Sequence, residues 1–248
     1  MKKLLLLILP ILFALPNFAH ADITTGLVGW WHLNGDVLDY SGSGFNGTAV
    51  GSPTYTTGNI WSQAISLNGT SQYVNVSGFS LPSATQLTVS LWLKTSSISG
   101  VPISSWGSGA NGFGIYSDIW YVGVPNGWSA GSARIITDNA WHLYTLTWDG
   151  STINVYVDGA YQYSVSSGSS YSPNATYALS LGTDDRTFGS NDYPGSVGDA
   201  RVYNRALTSS DVAQLYAYTG LVPKIYTAFT VFKSAVFSVF KGSIFTIY

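Results

Sequence analysis

From about residue 26 to residue 207 the chain sets short apolar stretches between turn residues and almost nowhere repeats with a helical period. The clearest stretch runs from Trp141 to Trp148, β-branched and aromatic with an alternating component. Asp149-Gly150 follows, then the alternating Ile153-Asn154-Val155-Tyr156-Val157, then Asp158-Gly159 and Tyr161-Gln162-Tyr163-Ser164-Val165. Asp-Gly pairs tolerate the left-handed backbone of tight hairpin turns, so this segment predicts three strands in an antiparallel meander. Upstream, Gln72 to Val76 and Leu87 to Lys94 also read as strands, and Gly112 to Tyr116 and Ile119 to Val124 carry weaker signals. Short strands at regular spacing predict an all-β fold, an antiparallel two-sheet jelly-roll sandwich.

One short C-terminal helix is expected behind the strands. Thr208-Ser209-Ser210-Asp211 has the spacing of a capping box, and Val212, Leu215 and Tyr216 fall on one helical face. Gly220 and Pro223 stop it. The two ends of the chain differ in character from this body. Residues 1–21 carry Lys2 and Lys3, an apolar run from Leu4 to Leu15, and Ala19-His20-Ala21, the order of a signal peptide cleaved before Asp22. Residues 221–248 form an apolar tail without acidic residues, with three Lys and an eight-residue period. That tail reads either as a terminal segment that packs on the sandwich or is poorly ordered, or as a membrane-surface or partner-docking segment. The expected organisation is a signal peptide at 1–21, one domain at 22–220 and the tail.

Composition narrows the chemistry. Charged residues make up 9% of the chain, against about 25% in ordinary soluble domains. Aromatic residues reach 15%, a level that suits a β-rich body with a neutral surface. All 12 acidic residues are Asp, which excludes any mechanism built on a Glu acid, base or nucleophile. Cysteine is absent, so there is no disulfide, thiolate or cysteine metal site. The formal charge is −2, and −4 once Lys2 and Lys3 are removed. Clustered Lys and Arg are lacking, so nucleic acid is not an expected partner.

Five segments in chain order resemble the laminin-G-like, concanavalin A-like lectin/glucanase family of jelly-roll modules. They are Gly26 to Asp36, the loop Asp39 to Gly47, Ala64 to Val74, Trp141 to Gly159, and Gly195 to Leu207 with the helix behind it. The resemblance spans about residues 26–218 and implies two antiparallel sheets with long rim loops. It also implies a structural Ca²⁺ between the first loop and the closing strand. Asp39, Asn46 and Asp199 are the oxygen donors this sequence offers for it. Ser43 and Gly198 depart from the family pattern there, and the alternative is an Asx turn at Asp39 with a surface Asp199.

Glucanases on this fold use a Glu-based motif, which a chain without Glu does not have. His142 follows Trp141 in a strand and reads as a sheet histidine rather than a catalytic base. The resemblance and composition together point to a non-catalytic recognition module. Sugars are held by aromatic faces and by Asp, Asn and Arg hydrogen bonds. The candidate ligand-binding residues are Trp128, presented by an Asn126-Gly127 loop, then Trp120 and Tyr121, with Asp184, Asp185 and Arg186 as a solvated rim. The expected partner is a glycan at the cell surface or outside the cell. The alternative is an adhesive surface protein that binds other proteins, docked through its tail to a partner or to the membrane surface.

Overall fold

The computed structural model describes residues 23–81, 85–106, 112–124, 127–167 and 178–220, with the side chains of 124–129 excepted. The expected signal peptide and tail lie outside the described residues. In chain order the strands are β1 (Leu27–Trp31), β2 (Thr48–Val50), β3 (Thr54–Thr57), β4 (Gln63–Asn68), β5 (Tyr73–Val76), β6 (Leu87–Lys94), β7 (Ile103–Ser105) and β8 (Phe113–Tyr116). They continue as β9 (Ile119–Val124), β10 (Gly127–Ser132), β11 (Trp141–Trp148), β12 (Thr152–Val157), β13 (Ala160–Ser166), β14 (Leu179–Leu181) and β15 (Pro194–Tyr203), before helix α1 (Ser209–Ala217).

All pairings are antiparallel and make two sheets. One runs β13-β12-β11-β6-β15-β4-β3, with β1 also on β15; the other runs β10-β9-β8-β7-β14-β5-β2. This is the predicted two-sheet sandwich. The expected meander is β11-β12-β13. Its second turn has Asp158 at φ +50° and Gly159 at φ +76°, the left-handed pair that a two-residue hairpin requires. At the first turn Asp149 Oδ1 accepts from the backbone N–H groups of Ser151 and Thr152.

The main core lies between the sheets. Every second residue of β6, Leu87, Val89, Leu91 and Leu93, is buried there beside Trp31, Phe79, Trp120 and Trp148. Burying each aliphatic side chain is worth about 1.5–3 kcal/mol. The other face of β6 is covered as well. Trp92 joins Leu143, Tyr156, Tyr203 and Leu207 beneath Val212 and Leu215 of α1. That explains why β6 is buried along nearly its whole length. The helix begins with the predicted capping box: Thr208 Oγ1 accepts from the Asp211 N–H, and Asp211 Oδ2 accepts from the Thr208 N–H. Tyr216 stays half-exposed but stacks on Trp92 at 5.7 Å.

His142 stands at the sheet surface between two carboxylates. Nδ1 is 2.7 Å from Asp158 and Nε2 is 3.2 Å from Asp138. Burial pulls the imidazole pKa down, but the hydrogen bonds and charges of Asp158 and Asp138 outweigh it and hold the pKa above 6.5. A raised folded-state pKa contributes stability that is full below the unfolded value and is lost as pH rises through the folded value. Urea unfolding should therefore find a loss of stability as pH rises above about 6.5, and His142→Asn should flatten that slope. An unchanged slope in the variant would place the titration elsewhere.

Candidate functional site

Pairing between β8 and β9 sorts the central aromatic residues onto two faces. Phe113 opposes Val122 and Ile115 opposes Trp120, and all four are buried in the core. Gly114 opposes Tyr121, and Tyr116 opposes Ile119, on the outer face of the sheet. Tyr116 and Ile119 are more than a third exposed. Gly114 leaves room for a ring on that face: a Cβ there would stand 3.0 Å from Trp106 Cζ2 and 2.6 Å from the Ile103 carbonyl oxygen. Trp106, just past β7, fills the space and meets Tyr121 edge to face at 5.3 Å between centroids.

The segment between β14 and β15 closes the other wall. Arg186 lays its guanidinium over the Trp106 ring at 5.1 Å. Asp184 holds it there, with Oδ1 accepting from the Arg186 backbone N–H (3.0 Å) and Nε–H (2.9 Å) and Oδ2 from Nη2–H (2.7 Å). Burial opposes ionisation of Asp184, but these bonds outweigh it and hold its pKa below the usual carboxylate value. Asp185 accepts from the Trp106 backbone N–H at 3.0 Å through both oxygens, and its own N–H donates to Ser104 Oγ. Ser104 is bonded in turn to Ser180 of β14. Trp106, Tyr116, Tyr121 and Arg186 thereby enclose an open cleft of about 260 Å³. It offers aromatic surface beside a fork of N–H donors.

Of the residues expected from sequence, Tyr121 and Arg186 line this cleft. Asp184 and Asp185 lie behind it rather than forming a solvated rim. Asp184 is 2% exposed, and both carboxylates fix the wall. Trp120 is a correction: strand alternation turns it into the core, where it is 1% exposed, so it is a packing residue. The segment of Trp128 is a strand and not a loop; Trp128 pairs with Gly123, two residues along β9 from Tyr121. Its side chain lies outside what is described. Trp106 and Tyr116 are additions to the sequence-based site. Alternation along Phe113-Gly114-Ile115-Tyr116 was the available signal for Tyr116.

The candidate calcium donors Asp39, Asn46 and Asp199 all accept hydrogen bonds in the structure. Asp39 Oδ1 accepts from the N–H groups of Trp30 and Ser41, and Oδ2 from the Phe45 N–H and the Ser41 hydroxyl. Asn46 Oδ1 is taken by the Asp39 N–H. Asp199 Oδ1 accepts from the indole N–H groups of Trp30 (2.7 Å) and Trp61 (3.1 Å). Its Oδ2 receives Arg201 Nε–H at 2.9 Å and lies 2.8 Å from Nη2. Calcium needs six to eight oxygens facing one point. Here these oxygens accept from N–H and hydroxyl donors, and no group of three His, Cys, Asp or Glu side chains that could hold a metal occurs among the described residues. With these oxygens kept by their N–H donors, the melting temperature should be equal in chelator and in millimolar Ca²⁺. A rise of several degrees in Ca²⁺ would assign a metal site to them, because a cation that binds only the native state stabilises it.

Known proteins give a consistent picture. A laminin-G family model, described as the concanavalin A-like lectin/glucanases superfamily, matches residues 68–213, more than half of the chain. No curated protein matches the sequence significantly. Among solved structures, the fold is similar to domain 4 of AbnA, a GH43 extracellular arabinanase from Geobacillus stearothermophilus, in complex with arabinotriose. The identity is 22% and the TM-score 0.64, over 77% of this chain and 98% of that domain. It is also similar to the binding domain of Paraclostridial Mosquitocidal Protein 1, at 15% identity and TM-score 0.63 over 78% of this chain. A third is the binding domain of botulinum neurotoxin DC in complex with SialylT, at 14% identity and TM-score 0.59 over 79% of this chain. The chain spans about half the length of these two toxin domains, 52% of each. With the fold, the five sequence segments and the family match in agreement, the chain belongs to the concanavalin A-like lectin/glucanase superfamily.

Proposed function

We propose that this protein is an exported, non-catalytic recognition module that holds carbohydrate in the cleft of Trp106, Tyr116, Tyr121 and Arg186, at the cell surface or outside the cell. The observation that carries the reading is the cleft itself, aromatic faces set beside guanidinium donors. A sugar ring has one apolar face and a rim of hydroxyls, and such a surface matches both. The arabinotriose complex of the AbnA domain supports the ligand class. The absence of catalysis is supported by the work of the two nearby carboxylates. Asp184 is tied to Arg186 and held ionised, and Asp185 is bonded to the Trp106 backbone. A glycosidase needs a proton-donating carboxylic acid and a second carboxylate across the bond.

The full chain on a glycan array is the test. Binding to a set of oligosaccharides, without release of reducing ends from the corresponding polysaccharides, is expected. An array with no bound glycan would overturn the ligand class, and hydrolysis would overturn the non-catalytic reading.

A further inference from the structure

We infer that the cleft selects neutral glycans and rejects acidic ones, an inference that rests on reading the cleft as a carbohydrate site. Arg186 is the cationic side chain among the described residues of its wall, and its charge is already matched. Three N–H groups of this residue converge on Asp184, whose side chain is 3% exposed. Asp185 adds a second carboxylate, held at the Trp106 N–H directly behind the aromatic wall. Among the described residues of this wall, one guanidinium stands against two carboxylates.

The rest of the domain reinforces that sign. Between residues 23 and 220 the cationic side chains are Lys94, Arg134, Arg186, Arg201 and Arg205, against eleven Asp. Arg201 is buried on Asp199, and Arg205 is paired with Asp211. A uronate or sialate entering the cleft would have to compete with Asp184 for the guanidinium while approaching Asp185. Placing like charges together at an interface disfavours the wrong partner strongly. A neutral sugar meets no such opposition. Its hydroxyls accept from the guanidinium, which is 45% exposed on its side chain and has donors besides the Nε–H and Nη2–H that Asp184 engages.

The test compares matched ligands on the full chain by calorimetry: galacto-oligosaccharides against oligogalacturonides, and lactose against sialyllactose. The neutral member of each pair should bind about tenfold or more tightly. Its affinity should hold when sodium chloride is raised from about 0.05 to 0.5 M, because no ion pair is made. Asp184→Asn removes the matching charge and should narrow the gap, and Arg186→Gln should weaken neutral ligands without rescuing acidic ones. Should Asp184→Asn not fold, the salt series on the unaltered chain decides the matter alone. Acidic ligands that bind equally or better, with salt-sensitive affinity abolished by Tyr121→Ala, would overturn this inference and leave the carbohydrate cleft standing. Failure of both classes to bind, or binding that ignores Tyr121→Ala, would overturn the carbohydrate cleft and this inference with it.

Discussion

Asp199→Ala is expected to destabilise the domain by about 3–5 kcal/mol, the usual cost of stranding one partner of a buried ion pair. Asp199 sits in a bulge of β15, where the register with β6 passes from Gly198 directly to Arg201. Its backbone is left-handed, at φ +41°. The bulge re-aims the side chain, which then gathers donors from three parts of the chain: Trp30 of β1, Trp61 ahead of β4, and Arg201. Arg201 is 2% exposed and lies between the rings of Trp30 and Tyr218, 4.4 and 4.5 Å from their centroids. Without the carboxylate, two indole N–H groups and a buried guanidinium lose their acceptor. For a domain of this size each kcal/mol is worth about 2–4 °C in melting temperature, so a fall on the order of 10 °C should appear in a calorimetric scan. Adding Arg201→Met to Asp199→Ala should recover part of the loss, because an apolar pair often replaces a buried ion pair at little cost. A single variant that melts with the unaltered protein would remove Asp199 as the tie between β1 and β15.

The second large effect is on binding. Tyr121→Ala should weaken the glycans found on the array by about 30-fold, the loss expected for a central aromatic anchor. Tyr121 faces outward on β9, so its removal opens no hole between the sheets, and the melting temperature should hardly move. Trp106→Ala should weaken binding as well, but with a loss of stability, because this ring is nearly buried and packs over Gly114 under Arg186. Equal affinity in Tyr121→Ala would mean that the sugar sits elsewhere.

Local chemistry explains which parts of this protein were readable in its sequence. The meander from Trp141 to Val165 was legible because its alternation and its Asp-Gly turns are properties of neighbouring residues. The capping box of α1 was legible for the same reason. The aromatic wall of the cleft was only half legible. Trp120 and Tyr121 are adjacent in a strand, and alternation forbids both from facing the same side. Grouping them by composition hid that rule. Trp106 joins the wall because Gly114 makes room for it and because Asp185, distant in sequence, fixes its backbone. The surroundings of the candidate metal donors were hidden for a related reason. The spacing of Asp39 and Asp199 marks two carboxylates but not what reaches them, and Trp30 Nε1 reaches Asp199 across 169 residues.

Chemical-shift mapping of the isotopically labelled chain, as an array-positive oligosaccharide is added, locates the sugar most directly. Perturbed amides are expected to cluster at Trp106, Tyr116, Tyr121 and Arg186, which line the cleft. Shifts confined to the outer face of the other sheet, or to the stacked rings of Tyr40, His32 and Trp61, would place the sugar elsewhere.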